Sequence, residues 1–168
     1  MANKNPAIQF KAIVAKLNKV LVDSVKASSL KATATFARDI VVKRTRLGYG
    51  VPVAGGSKEL FKKLSPNYVN QRKMFAGLNA LTRPNKSNLT RTGQMLDSIT
   101  AHTEKGAITI RPTGTRRDGK KNYDIAKYNE DGGKGRPRRI FMNISQLEFN
   151  QVKRFYRKMF GDLVKSRK

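Results

Sequence analysis

Cysteine and tryptophan are absent, histidine occurs once, and only 11 of the 168 residues are acidic. Without cysteine there is no disulfide framework, no cysteine-ligated zinc or iron–sulfur centre and no thiol nucleophile. His102 is the single imidazole, so multi-histidine metal sites and paired-histidine catalysis are excluded as well. Long apolar runs are also missing. No stretch approaches the ~18 consecutive apolar residues that a membrane-spanning helix needs. Lys11, Lys16 and Lys19 interrupt the apolar stretch near the N-terminus, so no secretory signal is expected there. A solenoid-like repeat is not visible either.

What the chain has in excess is positive charge. Its 36 Lys and Arg residues give a formal net charge of +25. The excess is spread along the sequence: ten cations against Asp23 and Asp39 in 1–50, eight against Glu59 and Asp97 in 51–103, and eighteen against seven acids in 104–168. There is no detachable basic tail. The 38% hydrophobic content speaks for a folded chain despite that charge. A body this positive repels its own copies unless a polyanion or an acidic partner neutralises it, and nucleic acid is the commonest such partner.

The pattern predicts a single α+β domain over 1–168. A helical N-terminal arm over 1–42 and a C-terminal helix over 145–168 flank a middle region, 43–144, of short helices, a hairpin and long basic loops. In the arm, Phe10, Ile13, Leu17, Val25, Phe36 and Ile40 recur at helical spacing. Asn5 and Pro6 suit its start, and the β-branched run Thr33-Ala34-Thr35 is where a break into two helices is expected. Residues 43–56, with Gly48-Tyr49-Gly50 and Gly55-Gly56, read as loop but match no phosphate-binding glycine motif. Short helices are expected over 57–64, from Ser65-Pro66 to about 75, over 92–99 and over 123–129. A β-hairpin is expected from Thr100 to Arg111 across a turn at Gly106. The apolar run 140–144 reads as a strand. Ser145 and Glu148 then form a capping box that starts the last helix, with Leu147, Val152, Phe155, Tyr156, Met159, Phe160 and Leu163 on one side. The arm is amphipathic and suits packing on a sheet or on a neighbouring subunit, with packing inside its own domain expected.

The residues offer little to an enzyme. A metal nuclease needs converging carboxylates, but the one adjacent pair, Glu130-Asp131, points two ways, and Asp118 and Asp124 lie in or near a basic stretch. His102 has no Ser or Asp partner at a recognisable spacing. No catalytic residue, metal or cofactor is therefore expected. The basic clusters are the candidates instead: Arg44 and Arg46, then Arg116, Arg117, Lys120 and Lys121, then Arg136, Arg138 and Arg139. All are expected in loops or at element ends, where they can face DNA or a partner. No recognition helix, zinc finger or stacking motif is present, so a DNA contact would be to backbone and indifferent to sequence.

Three stretches, LSPNYVNQRK (64–73), SNLTRTGQMLDSI (87–99) and YDIAKYNEDGG (123–133) followed by RPRRIF (136–141), resemble together the small neck or tail-completion proteins of tailed bacteriophages. That family is marked by a Leu-Thr-x-Thr-Gly helix start, a hairpin, a Tyr-Ala…Gly segment, and Arg-Pro-Arg before a strand and the last helix. The likeness runs over roughly 40–160; the long basic N-terminal helix and the basic loop at 112–122 depart from it. The resemblance implies an α+β fold, with the N-terminal and C-terminal helices packed on a small antiparallel sheet, in a virion protein made in the host cytoplasm. It would form a six-fold ring, or a multiple, at the head–tail junction. The ring would contact portal or adaptor and tail-tube or terminator rings and let double-stranded genomic DNA pass. A tail-terminator ring, or a ribosomal or nucleoid-type nucleic-acid-binding protein outside a virion, are the alternatives.

Overall fold

A computed structural model describes residues 27–51, 57–74, 83, 85–90, 92–104, 107–133 and 135–165. The expectations for residues 1–26 and for the turn at Gly106 lie outside them. The fold is α+β: five helices and two small antiparallel two-stranded sheets among the described residues. Helix α1 (Ala27–Arg46) lies against the hairpin β3 (Ile99–Glu104) and β4 (Ala107–Pro112) and against the last helix, α5 (Gln146–Lys165).

Within the described residues α1 is unbroken, contrary to the expected break at 33–35. The threonine hydroxyls bond back to the helix instead of opening it: Thr33 Oγ1 donates to the Ser29 carbonyl at 2.8 Å and Thr35 Oγ1 to that of Lys31 at 3.1 Å. Leu30, Ala34, Ala37 and Val41 form the buried stripe, and the alanines let the sheet approach closely. Phe36 stacks on Phe155 of α5 with ring centroids 4.3 Å apart. The helix also runs past 42, so Lys43, Arg44 and Arg46 occupy its last turn, where cations suit the helix dipole, and not a loop. It stops at Gly48, whose φ of 87° favours glycine.

Two segments take a different form from the one expected. Residues 57–64 are not helical: β2 (Glu59–Leu60) pairs with β1 (Tyr49–Gly50). Leu60, Phe61 and Leu64 have helical spacing, but Phe61 alone enters the core while Leu60 is exposed. Its ring packs where Gly50 has no side chain; a Cβ there would lie 2.2 Å from the Ile140 carbonyl oxygen and 2.6 Å from Phe61 Cε1. Residues 140–144 are not a strand, because side chains take the place of a ladder partner. A Glu130 carboxylate oxygen accepts from the Phe141 and Met142 amides at 3.3 and 2.8 Å. Arg44 Nη2 donates to the carbonyls of Phe141 and Asn143.

The remaining elements follow the local sequence signals. Ser65 Oγ accepts from the Tyr68 amide at the start of α2 (Pro66–Met74). The short α3 (Gln94–Asp97) falls within 92–99 and leads directly into β3. The hairpin pairs Ile99 with Pro112 and Glu104 with Ala107, turning Ile99, Ile108 and Ile110 to the core and leaving His102 exposed. Helix α4 spans Asn122–Asp131. At α5 the capping box is formed: the Ser145 amide donates to Glu148 Oε2 at 2.8 Å, and the Glu148 amide donates to Ser145 Oγ at 3.2 Å. Val152 and Tyr156 are buried, whereas Leu147, expected on the same side, is 68% exposed because it lies about 140° around the helix from Val152 and about 180° from Tyr156.

Candidate functional site: a cationic cleft

The nine candidate cations separate into three groups. Arg44 points into the molecule. It is buried, with Nη1 2.7 Å from Glu148 Oε2 and Nη2 on two carbonyls of 141–143. Burial pulls its guanidinium below the ordinary value, and the Glu148 carboxylate opposes that. Arg46 reaches Asp97 and so ties the end of α1 to α3. Neither residue is part of an open basic loop, because helix α1 extends four residues further than the pattern suggested.

The 112–122 stretch is a small turn-closed ribbon. Thr115 and Lys121 form a bridge, the Arg116 amide donates to the Lys120 carbonyl at 2.8 Å, and the Gly119 amide to the Arg116 carbonyl at 3.0 Å. Arg117, Lys120 and Lys121 are exposed at its tip, while Arg116 is half-buried, 3.5 Å from Asp118. Downstream, Arg136 lies over the Tyr128 ring at 5.5 Å, Arg138 Nε donates to the Glu130 carbonyl, and Arg139 Nε donates to Ser87 Oγ at 2.9 Å.

Between these two basic segments the fold opens a recess of about 270 Å³. Among the described residues its cations are Arg72, Arg116, Lys120 and Arg139, and Asp118 is the acid in its wall. Leu64, Leu89, Met95 and Ile125 give it an aliphatic lining. Through Leu64, Tyr68, Asn129 and Arg139 it joins a wider space of about 870 Å³, to which Lys62, Lys63 and Arg136 contribute. The fold thus brings Arg116, Lys120, Arg136 and Arg139 to one cleft. It leaves Arg117, Lys121 and Arg138 on the surface outside it, and Arg44 and Arg46 elsewhere.

Arg72 belongs to the cleft and was not singled out by sequence. It is 2% exposed, and its guanidinium donates to the Lys86 carbonyl at 2.7 Å and to Asn88 Oδ1 at 3.2 Å. Those bonds fix the loop 85–90 against α2, and Asn88 in turn accepts from Thr90 Oγ1 at 2.6 Å. Arg139 is half-buried; burial holds its guanidinium below the ordinary value, with Tyr68 pulling the other way. A cation that has lost part of its water gains from an anion brought alongside it. The cleft can therefore hold carboxylate or phosphate groups. Among the described residues no three His, Asp or Glu side chains come together as a metal site would need, and no helix is long and apolar enough to cross a membrane. No protein-family model, curated protein or solved structure matches the chain, so the reading of the cleft rests on its own chemistry.

Proposed function

We propose that this protein is a structural subunit of a bacteriophage neck, a ring at the head–tail junction that completes or joins the tail and surrounds the passing genome. The observation that carries this reading is the charge balance. With 36 cations and 11 acids, 25 cations would have no carboxylate even if every acid were paired. Such a charge is stable in an assembly that surrounds a polyanion. The ordered motifs at 64–73, 87–99 and 123–141 support the neck in particular.

In this reading Arg117, Lys120 and Lys121 at the ribbon tip, with Arg136 and Arg138, meet the phosphate backbone of duplex DNA without reading bases. All five are exposed. Copies join through heterologous contacts that close into a six-fold ring or a multiple of six. The protein has no catalytic role; it works by shape and bulk attraction.

Deleting its gene tests the reading. Heads and tails that fail to join support it. Over-long tails would instead assign the protein to tail termination. Normal virions from which the protein is absent would overturn it, and tight, salt-sensitive binding of free duplex by the monomer would favour a nucleoid-type role. Native mass spectrometry of the assembly gives the copy number.

A further inference from the structure

We infer that the recess between α2, α4 and the 115–121 ribbon is a socket for an acidic peptide segment of another protein, one that carries aliphatic side chains between its carboxylates. This goes beyond the DNA contact proposed above: the recess shares Lys120, and the space beside it Arg136, with that contact, but it is centred on Arg139, Arg116 and the aliphatic lining.

The recess is the wrong shape for the duplex. Arg72 is 2% exposed and Arg139 half-buried, and both line the inside of a concavity. Duplex DNA is stiff and presents its phosphates on a convex rod, so it meets the exposed tip residues before it can reach these two. A flexible chain can enter.

The lining selects among flexible chains. A single-stranded nucleic acid binds by stacking its bases on aromatic platforms, and among the described residues the rings lining the recess and the space beside it amount to Tyr68. The apolar part is aliphatic, from Leu64, Leu89, Met95 and Ile125, which suits a leucine- or isoleucine-like side chain. The volume, about 270 Å³, lies at the small end of ligand sites and holds one or two such side chains. The wider space beyond Leu64 and Tyr68 continues the path for a linear chain, with Lys62, Lys63 and Arg136 along it.

Charge fixes the sign of the occupant. Among the described residues Arg116, Lys120 and Arg139 are the cations an occupant can meet and Asp118 is the acid, already 3.5 Å from Arg116. Guanidinium groups grip carboxylates with paired hydrogen bonds. An entering peptide with several Glu or Asp residues supplies the anions that this chain lacks.

The test uses a fluorescein-labelled ten-residue peptide of alternating glutamate and leucine, titrated with the full-length protein and read by fluorescence anisotropy. Saturable binding is expected. A peptide with glutamine replacing glutamate should bind at least about tenfold more weakly, as should the Arg139→Gln variant with the acidic peptide. Thr92→Trp, at an exposed position on the recess, fills it with no change of charge and should abolish peptide binding while leaving retention on double-stranded DNA unchanged. Leu64→Trp gives the same readout should the first variant fold poorly, as circular dichroism will reveal. Lys127→Gln, an exposed cation outside the recess, should bind like wild type. The inference is overturned by no saturable binding up to about 1 mM, by equal binding of the glutamine peptide, or by unchanged binding in either filled variant. Tighter binding of a ten-nucleotide oligothymidine, lost in the filled variants, also overturns it, since the socket would then belong to nucleic acid. The DNA-retention arm does not depend on the socket, and the neck reading is tested by the gene deletion, so failure of one does not imply failure of the other.

Discussion

Arg44 and Glu148 lie 104 positions apart in sequence and meet 2.7 Å apart inside the molecule, where the same Glu148 oxygen also accepts from the Ser145 amide and hydroxyl. One carboxylate thus caps α5, fixes the end of α1 and, through Arg44, holds the carbonyls of Phe141 and Asn143. The last helix, the first helix and the irregular segment between α4 and α5 are locked by one ionic centre.

Removing one member leaves a buried charge with no counter-charge, which costs about 3–5 kcal/mol. Arg44→Met is expected in that range by urea unfolding, because it strands both Glu148 and two carbonyls. Glu148→Gln should cost less, since glutamine still serves a capping box. The double variant should be more stable than the sum of the two losses implies. Strict additivity in this double-mutant cycle would show that the two side chains do not act as a unit.

How much of this was legible depended on distance along the chain. The box at Ser145 and Glu148, the start of α2 at Ser65-Pro66 and the hairpin at 99–112 rest on partners within a few residues, and the sequence displays them. The segment 140–144 carries Ile140, Phe141, Met142 and Ile144, an apolar run that reads as a buried strand. The Ile140 carbonyl accepts from the Val51 amide, but the backbone groups that follow pair with side chains from positions 44 and 130, which no local pattern announces. Arg44 was misplaced for the same reason: a cation beside Gly48-Tyr49-Gly50 reads as loop, and nothing nearby marks it as buried.

The cleft was half legible. Clusters at 116–121 and 136–139 stood out as runs of charge, and four of their members do converge. Arg72 and Tyr68 sit on a helix with no apolar stripe, so periodicity gave them no special place. No local signal marks Arg72, because its partner Asn88 is a polar residue in a loop whose burial appears only in the fold.

Gly50 is the point of closest backbone approach. A methyl group there would sit 2.2 Å from the Ile140 carbonyl oxygen, so β1 or the 140–144 segment must move. Gly50→Ala is expected to lower stability by more than about 2 kcal/mol in chemical denaturation. Gly119→Ala has nothing within 4 Å of its Cβ; its loss arises from the φ of 77° alone and should be smaller. Equal losses at the two sites would contradict the packing seen around Gly50.

Burial pushes the Glu130 carboxyl above its ordinary value, against the opposing pull of the Met142 and Phe141 amides. A carboxyl raised in the folded state contributes its stability in full below the unfolded value and loses it as pH rises through the folded value. Glu130→Gln keeps an oxygen to accept from both amides but does not titrate. Wild type should therefore gain stability relative to this variant as pH falls from neutral towards the ordinary glutamate value. Parallel unfolding curves from pH 5 to 8 check it, and a difference that stays flat, or grows in the variant's favour on acidification, contradicts the burial of that carboxyl.

If the exposed cations meet phosphate alone, their effect on DNA retention must be separable from sequence and proportional to number. Arg117, Lys121 and Arg138 lie outside the recess and are exposed, so their neutralisation should leave the peptide socket and the fold intact. Each phosphate contact releases counterions and adds about −0.9 to the slope of log affinity against log salt. The triple glutamine variant of the assembled protein should therefore show a slope shallower by up to about 3 per subunit that touches DNA. Duplexes of unrelated sequence should be retained alike, because no base edge is contacted. An unchanged slope would remove these residues from the DNA surface, and a preference of tenfold or more for one sequence would replace bulk attraction with base readout.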